Sequence, residues 1–170
     1  VLNVLEDRTL RELSRIGVDR LGGVPTALLP DGSTLWVAVP ESSEIVAVDL
    51  MRGQYAVTNR VHTTDLAGNT VVPAGMLVRD DLMMVSTGTN ASVVAHAVRQ
   101  EGKSYAVAEA RLTSLGVRGV PDAGQILLNA QTLYVAGGDA DLQLFDVADW
   151  LDGRFERPVA LLNYFALTGG

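Results

Sequence analysis

The feature that most restricts this chain is a spacing. The stretch from Pro25 to Asp49, P-T-A-L-L-P-D-G-S-T-L-W-V-A-V-P-E-S-S-E-I-V-A-V-D, returns twice in weaker form. Pro25, Pro73 and Pro121 stand 48 residues apart each time, and Tyr55, Tyr105 and Phe155 stand 50 apart. Within the first unit, Thr26–Leu29, Leu35–Val39 and Ile45–Val48 are short runs of residues that suit a pleated sheet. Pro30-Asp31-Gly32-Ser33 divides the first two, because proline pre-sets φ and Asp-Gly accepts the positive φ of a hairpin turn. Pro40–Ser43 breaks the second run from the third. A fourth run, Tyr55–Val61, follows a turn at Met51-Arg52-Gly53.

Four strands repeating at a period near 50 mark β-propeller blades, not helical repeats. The expected fold is therefore all-β, with blades of four antiparallel strands. Residues 1–21 read as the end of an incomplete blade, with 22–70, 71–119 and 120–170 as three blades of one partial propeller. The second blade carries Ala74–Val78, Leu82–Ser86, Val93–Val98 and Tyr105–Leu112. The third carries Gly124–Leu128, Thr132–Ala136, Leu142–Val147 and Phe155–Phe165, with a helical turn expected within Ala148–Gly153. For residues 1–18 a competing reading is an amphipathic helix, since Leu2, Leu5, Leu10, Leu13 and Ile16 fall near one helical face. Trp36, Met84 and Tyr134 hold the same place in their second strands and are expected to pack between blades, since a single blade cannot bury both faces.

P-D-G-S-T-L-W-V-A-V followed by S-E-I-V-A-V-D-L resembles the YVTN family of propeller repeats, and Leu133-Tyr134-Val135-Ala136 with Leu142–Asp146 is similar. The second unit departs from that pattern: Arg79-Asp80-Asp81 lacks the glycine, and Ala97 stands where aspartate is expected. The resemblance implies a propeller, seven-bladed in the family, and implies little about activity, because propellers host unrelated functions. Three and a half blades do not close a ring of four to eight. The chain is thus expected to need the remaining blades of its own propeller, or another chain, beside it. Because it begins at Val1 without Met or a basic-then-apolar leader, the expectation is an excised leader or an excerpt of a longer polypeptide.

Composition narrows the partners. A net charge of −7 argues against nucleic acid, whose phosphates call for a basic face. No apolar run approaches the ~20 residues needed to cross a bilayer. With no cysteine, disulfides, thiolate metal sites and covalent c-type haem attachment are excluded within the chain, which fits an extracytoplasmic (periplasmic or secreted) protein.

The residues give little catalytic chemistry. His62 and His96 lie in different units without metal-pair spacing. His96 falls in a strand, where Val48 stands in the first unit, and reads as packed. Asp139 and Asp141 in G-G-D-A-D match only part of a calcium loop. Asn90-Ala91-Ser92 is a formal glycosylation sequon. No G-x-S-x-G occurs. No catalytic residue, metal or cofactor is expected in this chain. The link between blades leaves from the same end as the turn between strands two and three. That end gathers His62, Asp65, Asn90, Arg118, Asp139 and Asp141 as candidate contact residues, since loops on rigid scaffolds carry binding. The leading expectation is a non-catalytic scaffold or binding module presenting these loops to a protein partner. The alternative is the propeller portion of a lactonase-like, dehydrogenase-like or haem protein whose catalytic groups lie elsewhere.

Overall fold

The computed structural model describes residues 2–6, 8–9, 11–51, 55–88, 91–98, 104–112, 123–137 and 141–166. A two-stranded pair, β1 (Leu2–Leu5) and β2 (Glu12–Ile16), comes first, followed by the short helix α1 (Val18–Leu21). Three four-stranded antiparallel meanders follow in chain order. The first blade holds β3 (Ala27–Asp31), β4 (Thr34–Val39), β5 (Glu44–Asp49) and β6 (Val57–His62). The second holds β7 (Pro73–Arg79), β8 (Leu82–Thr87), β9 (Ser92–Val98) and β10 (Ser104–Arg111). The third holds β11 (Ala123–Asn129), β12 (Thr132–Gly137), β13 (Asp141–Asp146) and β14 (Ala160–Ala166), with α2 (Ala148–Leu151) between its last two strands.

The strand reading of the N-terminus stands, and the helix reading of residues 1–18 gives way to β1 and β2. Their Leu2 and Ile16, with Leu21 of α1, pack on Val37, Val46 and Val48 of the first blade. Arg60 fastens α1 there: its guanidinium donates to the Leu21 carbonyl at 2.9 Å and to Glu44 at 2.7 Å. The helical turn falls where expected, but the fourth strand of the third blade starts at Ala160. Phe155 and Val159 instead pack, partly buried, against the core between blades. Tyr55 likewise precedes its strand, with φ of 32°.

The register shows why the blades stack. Leu29 lies opposite Trp36, which lies opposite Ala47; the same row is Leu77–Met84–Ala95 in the second blade and Leu127–Tyr134–Leu144 in the third. Residues directly opposite share a face of the sheet. The Trp36 row packs on Met76, Met83 and Val85 of the second blade. The Met84 row packs on Ile126, Leu133 and Val135 of the third. The third row meets nothing among the described residues: Leu77 is 8% exposed and its counterpart Leu127 64%. Phe165, opposite Leu142 on the same face, is 47% exposed. Among the described residues, this apolar face of the third blade is uncovered.

The first strands set the spacing of the stack, with β7 lying against β3 on one side and β11 on the other. All three hairpins between first and second strands open on a left-handed residue: Gly32 (φ 56°), Asp80 (φ 55°) and Ala130 (φ 53°). Only glycine adopts this conformation without steric cost. Ala130→Gly is therefore expected to raise the unfolding free energy by about 1 kcal/mol, read as an upward shift of the urea midpoint at unchanged slope.

Candidate functional site

The link from β6 to β7 meets the β4–β5 turn and the described end of the β8–β9 turn at one end, joined by backbone hydrogen bonds. Thr63 N–H donates to the Ser43 carbonyl at 3.0 Å, and Val71 N–H donates to the Thr63 carbonyl at 3.0 Å. The buried Thr63 hydroxyl adds contacts to the carbonyls of Ser43 (2.8 Å) and Val71 (2.6 Å). Gly88 N–H donates to the Val72 carbonyl, and the Gly88 carbonyl accepts from Ala123 of the next blade. Thr87 and Ser92, both buried, bond through their hydroxyls at 2.9 Å. These bonds tie the β6–β7 link to the turns beside it.

His62 ends β6, exposed, with its Nε2 3.2 Å from the Thr70 hydroxyl. Thr64 and Thr70 form a bridge, so the link folds into a small hairpin with Asp65 and Asn69 at its neck. Asp65 and Asn69 bond through their backbones at 2.9 Å. The Asn69 backbone N–H donates to Asp65 Oδ1 at 2.8 Å and the Asn69 side-chain amide to Oδ2 at 2.9 Å. The side-chain amide first, then the backbone N–H, hold the Asp65 carboxyl below the usual carboxylate range. Both oxygens are thus engaged within the loop. The geometry brings His62 and Asp65 to one hairpin. Asp141 is the first residue of β13, paired with Ala166. Asn90, Arg118 and Asp139 lie outside the described residues.

A hydroxyl against an imidazole is half of a nucleophile–base arrangement, but among the described residues no carboxylate pairs with His62. As it stands, the Thr70–His62 contact is a cross-loop hydrogen bond. Among the described residues no three His, Asp or Glu lie close enough together to hold a metal ion. No described helix is long and apolar enough to cross a membrane.

The opposite end holds features that sequence reasoning passed over. A cleft of about 300 Å³ between the first and second blades is lined by Asp31, Thr34, Trp36, Asn59, Asp80 and Asp81. A second, also about 300 Å³, lies between the second and third blades beside Arg79, Asp80, Trp150 and Phe155. Their aspartates sit in hairpin turns and read in sequence only as turn formers; no spacing signal pointed to a shared cleft.

Comparison with solved structures agrees on the architecture. The chain is similar to the Pseudomonas aeruginosa periplasmic gluconolactonase PpgL, with a TM-score of 0.65 and 17% identity over 86% of this chain and 42% of that one. It is similar to BamB from Moraxella catarrhalis, with a TM-score of 0.56 and 17% identity over 95% and 44%. It is also similar to the β-propeller domain of Myceliophteria thermophila Cps50 (Swd1), with a TM-score of 0.53 and 16% identity over 82% and 39%. The chain is an arc of β-propeller. At these identities the likeness concerns the propeller fold alone, and the arc spans less than half the length of each of these structures. No protein-family model matches the sequence, and a search of curated proteins finds no match.

Proposed function

We propose that this arc belongs to a propeller of the YVTN repeat type, working outside the cytoplasm as a non-catalytic scaffold that presents its rim loops to a protein partner. The observation that carries this reading is the hydrogen-bonded rim, which fixes the His62–Asn69 hairpin in place before any partner arrives. A preformed loop loses little conformational entropy on binding. The P-D-G hairpin supports the repeat type, and the likeness to a periplasmic lactonase supports the location. Asn90, Arg118, Asp139 and Asp141 complete the proposed contact set. Ring closure then falls to further blades, of the same polypeptide or another chain, laid on the Leu127–Tyr134–Leu144 face.

Photo-crosslinkers placed at His62 and Asp65 in the native host are expected to trap one and the same protein, while one at Asp31 on the other end traps none. The paired substitution His62→Ala and Asp65→Ala is expected to weaken binding of that protein by about tenfold, as for a partner-facing loop contact. Equal trapping from both ends, or undiminished binding, would refute the rim as the contact face. The alternative, a propeller portion of a lactonase-like enzyme, draws on the likeness to PpgL. Lactone hydrolysis by the purified protein would favour it.

A further inference from the structure

His96 occupies a position that the other blades fill with hydrocarbon. It lies opposite Met83 in β8, as Val48 lies opposite Leu35 in β4 and Phe145 opposite Leu133 in β12. All three residues face the preceding unit and are buried; His96 is fully so. Its face is apolar: Met83 opposite, with Met76, Val78, Val85 and Val98 from its own blade and Trp36, Ile45, Ala47 and Val61 from the first. Neither ring nitrogen has a hydrogen-bond partner among the described residues.

Among the described residues, the charged groups turned toward this seam are few and engaged elsewhere or set at its rim. From the first blade the register turns Asp31 and Asp49 to this side, at the ends of β3 and β5. Asp49 accepts the Met51 N–H at 2.7 Å. From β10, Glu109 lies opposite Val94 and pairs with Arg111 at 3.5 Å. Asp80 and Asp81 stand in the β7–β8 turn, at the mouth of the cleft. β6 contributes Asn59 and Val61, and β7 and β8 contribute no charge.

We propose that His96 makes the joint between the first and second blades acid-releasable, so that protonation of its imidazole opens this seam ahead of the one between the second and third. An imidazolium needs acceptors, and among the described residues neither His96 nitrogen has one. Burial holds the His96 pKa down to about 4, against about 6.5 for an exposed histidine. The opened seam therefore binds a proton that the closed seam refuses. The closed form has its full stability above about pH 6.5 and loses it progressively as the pH falls toward 4. At the second seam the equivalent residue, Phe145, has nothing to protonate.

The absence of cysteine allows a direct test. Val85→Cys and Val135→Cys place single thiols at equivalent positions, Val85 in the first seam and Val135 in the second, both fully buried in the native chain. Labelling with a dithiodipyridine, normalised to the unfolded chain, reads the opening of each seam. Between pH 7.5 and 4.5 the Val85→Cys rate is expected to rise on the order of 100-fold, and the Val135→Cys rate far less. Adding His96→Phe, the residue the third blade already uses, should abolish the difference. An equal rise at both seams, or a rise that survives His96→Phe, overturns the proposal. Should that variant not fold, the unaltered protein decides by NMR: His62→Gln identifies the second imidazole signal, and a His96 signal titrating at pH 6 or above is equally fatal.

Discussion

Met84→Ser is expected to cost this arc about 3–5 kcal/mol, while Tyr134→Ser at the equivalent position costs under about 1. The two side chains hold the same register, each opposite the middle of its blade. Met84 is wholly buried against the third blade, so its loss leaves a cavity and a hydroxyl with no designed partner. Tyr134 is half-buried, on the face where Leu127 is 64% exposed, so serine there removes less apolar contact and leaves its hydroxyl within reach of solvent. Urea unfolding of the two variants measures the gap. In an assembly where a further blade covers that face, Tyr134→Ser should become as damaging as Met84→Ser. A small cost in both settings would mean that the face is not a blade seam at all.

Gly75→Val is expected to lower stability by about 3 kcal/mol, acting at a single backbone approach. A Cβ on Gly75 would lie 2.7 Å from the Gly124 carbonyl oxygen, 2.9 Å from Ser86 Oγ and 3.2 Å from Gln125 Cα. Two of those atoms are backbone of β11 and cannot swing aside. The Ser86 hydroxyl also bonds the Gly124 carbonyl, so forcing β7 from β11 breaks that link as well. Gly124→Ala is the milder control, because its Cβ would meet the Ala136 carbonyl oxygen at 3.3 Å. Calorimetry should show the Gly75 variant losing the third blade at a lower temperature than the first two. Coincident melting of all three would contradict a local origin.

Much of the architecture was legible because the constraints on it are periodic. A residue that must fill the space between two sheets has to recur at the blade interval, so Trp36, Met84 and Tyr134 betray their common place by spacing alone. The same alignment set His96 at the place of Val48, and the register agrees. Boundaries fared less well where tertiary packing competes with local propensity. Phe155 reads as strand but is drawn into the inter-blade core beside Trp150, delaying the strand to Ala160.

The candidate site was legible only as a location. Sequence identifies H-T-T-D-L-A-G-N-T as a polar link between blades. It does not reveal that Asp65 turns back on Asn69, because that choice depends on how the hairpin neck closes. The aspartates of the opposite end were hidden for a related reason. Asp31 and Asp80 are 49 residues apart, and only the stacking of two hairpins makes them walls of one cleft.

Each sheet here leans on its immediate neighbours, β3 on β7 and β7 on β11. Such a stack melts like a short one-dimensional lattice, with its end members held from one side only. Heat or protease should then erode this arc from the sheet with the bare flank, leaving a two-blade remnant before the whole collapses.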